Sequence, residues 1–303
     1  MNETEFIWLN GKMVKWREAQ THFLTHSLHY GTAVFEGIRC YDTPKGPAIF
    51  RLKNHIERLM NSAKIMQMKH GFTQSQLEGA CKEVVKANKL RECYIRPLIF
   101  YGYGKMGLDT KGAPVEAGVA AWPWGAYLGE EGIKNGIKAR ISSYRRHYVK
   151  QELAHSKTTG HYTISTLAKM EALNSGYEEA IMLDLEEKVC ECTGENLFIV
   201  KDGMLLTPPT KFALVGITRD SVMKVAGDSG IEVKEEFFGK EELYSADEAF
   251  MTGTAAEVTP IREVDGKTIG KGKPGEITKK LQQKFYSIIH GKEEKYKEWL
   301  DFV

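Results

Sequence analysis

Glu191-Cys192-Thr193-Gly194-Glu195-Asn196-Leu197-Phe198 sets two carboxylates, small residues and an amide side chain in a turn that leads into a strand. Charge in such a place is either solvated or given a partner, and a carboxylate held beside a cofactor's ring nitrogen is one such use. Thirty-four residues earlier stands Lys157, with Tyr162 five positions beyond it. Most lysines are solvated surface charges. Yet Ser156-Lys157-Thr158-Thr159-Gly160-His161-Tyr162 is poor in acidic partners and precedes a helical pattern. A partly buried amine there has a lowered pKa and can form a Schiff base. His155 and His161 flank it without a third ligand, which points to hydrogen bonding rather than metal.

Outward from this stretch, residues 196–207 read as a hairpin turned by Asp202-Gly203, and residues 6–14 as another turned by Asn10-Gly11. Ile56, Leu59, Met60, Ala63 and Met66 recur at helical spacing and put Arg58 at the edge of the buried face. Thr73 and Gln76 form a capping box for a second helix carrying Leu77, Cys81, Val84 and Val85. Strands are expected at 94–101, 118–122, 180–184 and 249–252, and helices at 163–174, 218–226 and 277–289. The segment 125–136, rich in glycine and charge and without a clear period, suits a linker. The expected organisation is therefore a small N-terminal domain over 1–124, a linker over 125–136 and a larger C-terminal domain over 137–303.

The 303 residues suit an α/β protein of two lobes, each α+β, of roughly 150 residues. A net charge of +2, from 42 basic and 40 acidic residues spread along the chain, gives no electrostatic case for nucleic acid. No apolar run is long enough for a membrane span, and the acidic start is unlike a signal peptide. A soluble cytoplasmic protein that handles small molecules is expected. The five cysteines include no Cys-x-x-Cys pair, so neither a disulfide framework nor a zinc site is indicated.

Three glycine-containing segments remain. Gly102-Tyr103-Gly104-Lys105-Met106-Gly107 has dinucleotide spacing, but the next residues, Leu108-Asp109-Thr110-Lys111-Gly112, do not open a helix, so it reads as a glycine-rich loop. Gly216-Ile217-Thr218-Arg219 comes after Pro208-Pro209 and starts a helical pattern. It is either a phosphate cradle of unpaired amides or an N-cap in which Thr218 serves only its own helix. Gly253-Thr254-Ala255-Ala256 is a turn where backbone can approach a ligand. A lysine for an aldehyde, a carboxylate for a pyridinium, a phenol for a ring hydroxyl and a helix N-terminus for a phosphate are together what pyridoxal phosphate demands.

With these features the chain resembles the branched-chain-amino-acid aminotransferases of pyridoxal-phosphate fold type IV. The motifs are His29-Tyr30-Gly31-Thr32, Phe35-Glu36-Gly37-Ile38-Arg39-Cys40-Tyr41, Tyr94-Ile95-Arg96-Pro97-Leu98, Trp122-Pro123-Trp124-Gly125-Ala126-Tyr127, Gly194-Glu195-Asn196-Leu197-Phe198, Gly216-Ile217-Thr218-Arg219 and Gly253-Thr254-Ala255-Ala256-Glu257. The resemblance implies a two-domain fold like that of D-amino-acid aminotransferase, with pyridoxal 5'-phosphate held covalently by Lys157. Tyr162 would contact the ring oxygen and Glu191 the pyridine nitrogen, while Arg58, Ile217, Thr218 and Thr254 would hold the phosphate. It implies substrate walls from Phe35, Gly37, Tyr30, Trp124, Tyr127 and Tyr162, with Arg96 for a distal carboxylate. Tyr94, Thr254 and Ala255 would receive the α-carboxylate. Tyr30 and the loop around Met106 and Leu108 would reach the neighbouring subunit of a homodimer. The implied reaction exchanges amino groups between leucine, isoleucine or valine and 2-oxoglutarate. Rival readings are a D-amino-acid aminotransferase, an aminodeoxychorismate lyase or a catalytically impaired relative. The chain departs from the family pattern in its proline-free 148–157 segment and in His161, where asparagine is frequent.

Overall fold

The computed structural model describes residues 2–125, 128–146 and 150–303. The chain divides into two compact units, one of Met1–Gly125, Ser156–His161 and Ile288–Val303, the other of Ala126–His155 and Tyr162–Ser287. This division differs from the expected 1–124 and 137–303 in two respects. The lysine segment and the C-terminal residues belong with the first unit, and the stretch expected as a linker carries a helix, Gly129–Asn135.

The first unit opens with the Asn10-Gly11 hairpin. β1 (Phe6–Leu9) pairs with β2 (Lys12–Lys15), and both turn residues take positive φ, 50° and 89°, as a tight hairpin requires. Then come α1 (His26–Tyr30), β3 (Ala33–Phe35), β4 (Ile38–Thr43), β5 (Gly46–Phe50), α2 (Leu52–Ile65), α3 (Gln74–Ala87), β6 (Cys93–Tyr101) and β7 (Val115–Trp122). The sheet runs Leu300–Phe302, β5, β4, β6, β7, β1, β2, with β3 also on β6, and these pairings are antiparallel. The lobe is thus of the α+β kind. Period-2 residues such as Ile95 and Ile99 of β6 and Ala117, Val119 and Ala121 of β7 share one core with Ile56 and Leu59 of α2 and Leu77 and Val84 of α3. The capping box fixes where α3 starts: Gln76 N–H donates to Thr73 Oγ1 at 3.3 Å and Thr73 N–H to Gln76 Oε1 at 2.8 Å.

The second unit holds α4 (Gly129–Asn135), β8 (Ile137–Arg145), α5 (Gln151–Ala154), α6 (Tyr162–Asn174), β9 (Glu179–Leu183), β10 (Val189–Cys192), β11 (Asn196–Lys201) and β12 (Met204–Thr207). α7 (Ile217–Asp228), β13 (Val233–Glu235), α8 (Lys240–Tyr244), β14 (Glu248–Gly253), β15 (Glu257–Val264), β16 (Lys267–Thr268) and most of α9 (Glu276–Ile289) complete it. Its mixed sheet runs β10, β9, β8, β15, β14, β11, β12, β13, with parallel pairs at β8/β9, β8/β15 and β12/β13. The β11–β12 hairpin turns at Asp202 and Gly203, with φ of 51° and 77°. Residues 102–114, between β6 and β7, open no helix, which removes the dinucleotide reading of that loop. Among the described residues no helix is long and apolar enough to cross a membrane, and no group of histidine, cysteine or acidic side chains is placed to hold a metal.

Candidate active site

In the first unit, the Lys157 segment lies against β3. Phe35 N–H donates to Lys157 O at 3.1 Å, Val34 and Thr158 form an antiparallel bridge, and Lys157 N–H donates to Ser62 Oγ at 3.0 Å. The main chain of the lysine is thereby held on both sides. Its half-buried side chain places Nζ 5.0 Å from the Phe35 ring centroid. Burial, then the Arg58 charge, push the amine down. Glu36 and Tyr94 pull it up, Arg96 again pushes down, and the result is a pKa of about 8 against an ordinary 10.5. His161 ends the short turn Thr159–His161, its N–H on Thr158 O at 3.1 Å.

Tyr94 and Arg96, two apart on β6, project to one face. Arg96 Nη2 donates to the Tyr94 hydroxyl at 3.2 Å, and its guanidinium lies 4.7 Å from the Phe35 ring centroid. Trp124 meets Tyr94 edge to face at 4.6 Å. A Cβ at Gly37 would stand 1.8 Å from the Tyr94 hydroxyl, so only glycine admits this phenol. Among the described residues, the buried Nε of Arg96 has no hydrogen-bond partner, an orphaned donor in the same group as the lysine. Tyr30, Met106 and Leu108 stand on the surface, and the buried His26 links their segments: its ring meets that of Tyr30 at 4.5 Å, tilted by 35°, and its Nε2 meets Gly107 O at 2.8 Å. Tyr127 lies outside the described residues.

Sequence reading missed the partners of Arg58. Its Nε and Nη2 donate to Glu36 at 2.6 and 2.8 Å, and His55 Nδ1 meets Glu36 Oε2 at 2.7 Å. Burial pushes Glu36 up, but Arg58 and His55 outweigh it and hold the carboxyl well below the usual range. Two signals were available. Glu36 is a lone carboxylate in an apolar run, and His55, Arg58 and Ser62 recur at helical spacing along α2.

In the second unit, Glu191 sits in β10 beyond a bulge, the register with β9 shifting between Val189 and Glu191. A bulge re-aims the side chain that comes after it. Arg146, also missed, places Nε 2.9 Å from Glu191 Oε1, and both side chains are buried. Its Nη2 also donates to Ser165 Oγ and to Thr193 O, at 2.9 and 3.1 Å. Leu214 N–H donates to Glu191 Oε2 at 3.1 Å, while Leu214 O accepts from Asn196 Nδ2 at 3.0 Å. One backbone residue thus ties Glu191 and Asn196 to the segment that enters α7. The N-cap of α7 is Gly216, without a side-chain cap, so Thr218 lies inside the helix and the cap reading of Thr218 is corrected. A Cβ at Gly216 would meet Asn196 Oδ1 at 1.9 Å. The backbone amides of Ile217 and Thr218 fall in the first turn, where helical partners are lacking. Glu195, separate from Glu191, accepts from Gly194 N–H at 3.1 Å. Thr254 and Ala255 form the turn between β14 and β15, and Tyr162 starts α6.

Residues 33–264 match the class IV amino-transferase family. A branched-chain-amino-acid aminotransferase of Pseudomonas aeruginosa is 49% identical over 297 residues, covering 98% of this chain and 97% of that protein. The crystal structure of the Escherichia coli branched-chain amino acid aminotransferase superimposes with a TM-score of 0.95 at 47% identity, covering 99% of each chain. The branched-chain amino acid aminotransferase of Thermobaculum terrenum, in its PLP-form, superimposes with a TM-score of 0.91 at 34% identity, covering 99% of this chain and 98% of that one. This chain belongs to the class IV aminotransferases, in the branched-chain-amino-acid aminotransferase family.

Proposed function

We propose that this protein is a pyridoxal-5'-phosphate-dependent transaminase that exchanges the amino group between leucine, isoleucine or valine and 2-oxoglutarate. The observation that carries this reading is the half-buried Lys157 amine, brought to a pKa of about 8 among Phe35, Arg58 and Arg96. An amine so placed is available as a nucleophile and a base near neutral pH. The residues fit the cofactor: Lys157 would hold it covalently, Tyr162 would meet its ring oxygen and the buried Glu191 its ring nitrogen. Arg58, the amides of Ile217 and Thr218, and the hydroxyls of Thr218 and Thr254 would take its phosphate. When bound, the cofactor supplies an electron sink for the charge that develops at the substrate's Cα.

The remaining work falls to side chains of this chain. Once freed by the incoming amino acid, Lys157 Nζ would take the proton from the substrate's Cα as general base and deliver it to the cofactor's C4′ as general acid. Phe35, Trp124, Tyr30 and Tyr162 would offer apolar surface to a branched side chain. The orphaned Nε of Arg96 offers the distal carboxylate of glutamate the charge-assisted bond that apolar walls cannot. Tyr94 and the Thr254–Ala255 backbone would take the α-carboxylate, and Gly37 admits the Tyr94 phenol. The branched-chain identity of the relatives disfavours the lyase, D-amino-acid and inactive readings.

A homodimer is the smallest working unit in this reading, with Tyr30, Met106 and Leu108 offered to the partner subunit. The five cysteines, all free and buried, suit a reducing cytoplasm. An amino-donor panel against 2-oxoglutarate tests the function. Leucine, isoleucine and valine should outpace alanine, aspartate and D-alanine in glutamate formation, and preference for a D-amino acid would overturn the assignment.

A further inference from the structure

Along α2, His55, Arg58 and Ser62 recur at intervals of three and four residues and so share one face. Ser62 holds the backbone of Lys157, while His55 and Arg58 meet Glu36. Glu36 is fully buried between β3 and β4, its own N–H fixed on Pro97 O at 2.9 Å. Arg58 engages it through Nε and Nη2, 2.6 and 2.8 Å from the two carboxylate oxygens. Two bonds from one guanidinium edge to one carboxylate fix the guanidinium plane and the direction of the opposite edge, which carries Nη1. A carboxylate can only accept, so His55 Nδ1 donates to it, and burial holds the imidazole neutral by pushing its pKa down. Stability alone is a poor reason to bury such a group, because apolar side chains of equal volume often serve as well.

We infer that Glu36 is a positioning residue, which aims the Arg58 guanidinium at the phosphate of the cofactor, with His55 as its neutral hydrogen-bond cap. This rests on the cofactor reading given above. Coulomb's law alone predicts the opposite sign for its removal, because a carboxylate near a phosphate repels it. Positioning predicts a loss, because an arginine without its anchor must be ordered at the moment of binding.

Equilibrium dialysis of apoprotein prepared from the holoenzyme separates the two, using pyridoxal 5'-phosphate and phosphate-free pyridoxal as ligands. Glu36→Gln should weaken binding of the phosphorylated ligand about tenfold and that of pyridoxal less than twofold. The same change on an Arg58→Met background should have no further effect. Glu36→Asp keeps the charge but shortens its reach, and should fall between wild type and Glu36→Gln. It carries the same comparison should Glu36→Gln not fold. Tighter binding of the phosphorylated ligand, equal weakening of both ligands, or an undiminished effect without Arg58 would overturn the inference. Failure of the underlying cofactor reading looks different: wild type would not prefer the phosphorylated ligand, and Arg58→Met would alter neither affinity.

Discussion

The charged clusters around Lys157 and around Glu191 are built on opposite plans. In the first unit, Lys157, Arg58 and Arg96 gather around the carboxylate of Glu36. In the second, Glu179, Glu191 and Glu195 all act on the buried Cys192 thiol, which burial and then these carboxylates push far up, while Lys169 and Arg146 pair with Glu179 and Glu191. An excess of cations disfavours a protonated amine and suits a phosphate, whereas a surplus of carboxylates suits a protonated ring nitrogen. The contrast is in keeping with the phosphate role proposed for Arg58 and the ring-nitrogen role proposed for Glu191.

The largest expected effect separates the two carboxylates of the opening turn. Glu191 is paired with Arg146 beyond a bulge, whereas Glu195 closes on the adjacent Gly194 amide. Glu191→Gln should lower kcat by roughly 10²–10³, the cost of removing one well-placed electrostatic group, while Glu195→Gln should cost less than tenfold. Steady-state kinetics of the two variants provide the check. The reverse ranking would make Glu195, not Glu191, the functional carboxylate.

A smaller effect concerns the amine. In the cofactor-free protein, acylation of Lys157 followed by peptide mapping should show a midpoint near pH 8 rather than 10.5. The lowered value also sets the sign of a stability change. Between these two pH values the unfolded chain binds the more protons, so the cofactor-free protein gains stability relative to Lys157→Met as pH rises through that window. A reactivity midpoint above 10 would mean that the cations of the first cluster do not act on the lysine.

Local signals made much of the fold legible. Asn10-Gly11 and Asp202-Gly203 turn the two expected hairpins, and Thr73 with Gln76 starts α3. What escaped was non-local. Leu300–Phe302 pairs with Gly46–Phe50, and the Lys157 segment pairs with β3, so both joined a unit far away in sequence. α4 was missed because glycine and charge mask its short period. The same holds for the site. Lys157, Glu191 and the Gly216 turn stand out as candidates by residue type and spacing alone. Arg146 could not, because its partner lies 45 positions away and no pattern in its neighbourhood reports that contact. The Glu36–Arg58 pair left traces on both of its elements, but joining them requires the fold.

The central claim is that Lys157 is the amine that holds and serves the cofactor. Borohydride reduction of the protein loaded with pyridoxal 5'-phosphate, followed by peptide mapping, tests it most directly. A single phosphopyridoxyl adduct on Lys157 is the predicted result; an adduct on Lys150 or Lys169 with Lys157 unmodified would contradict it.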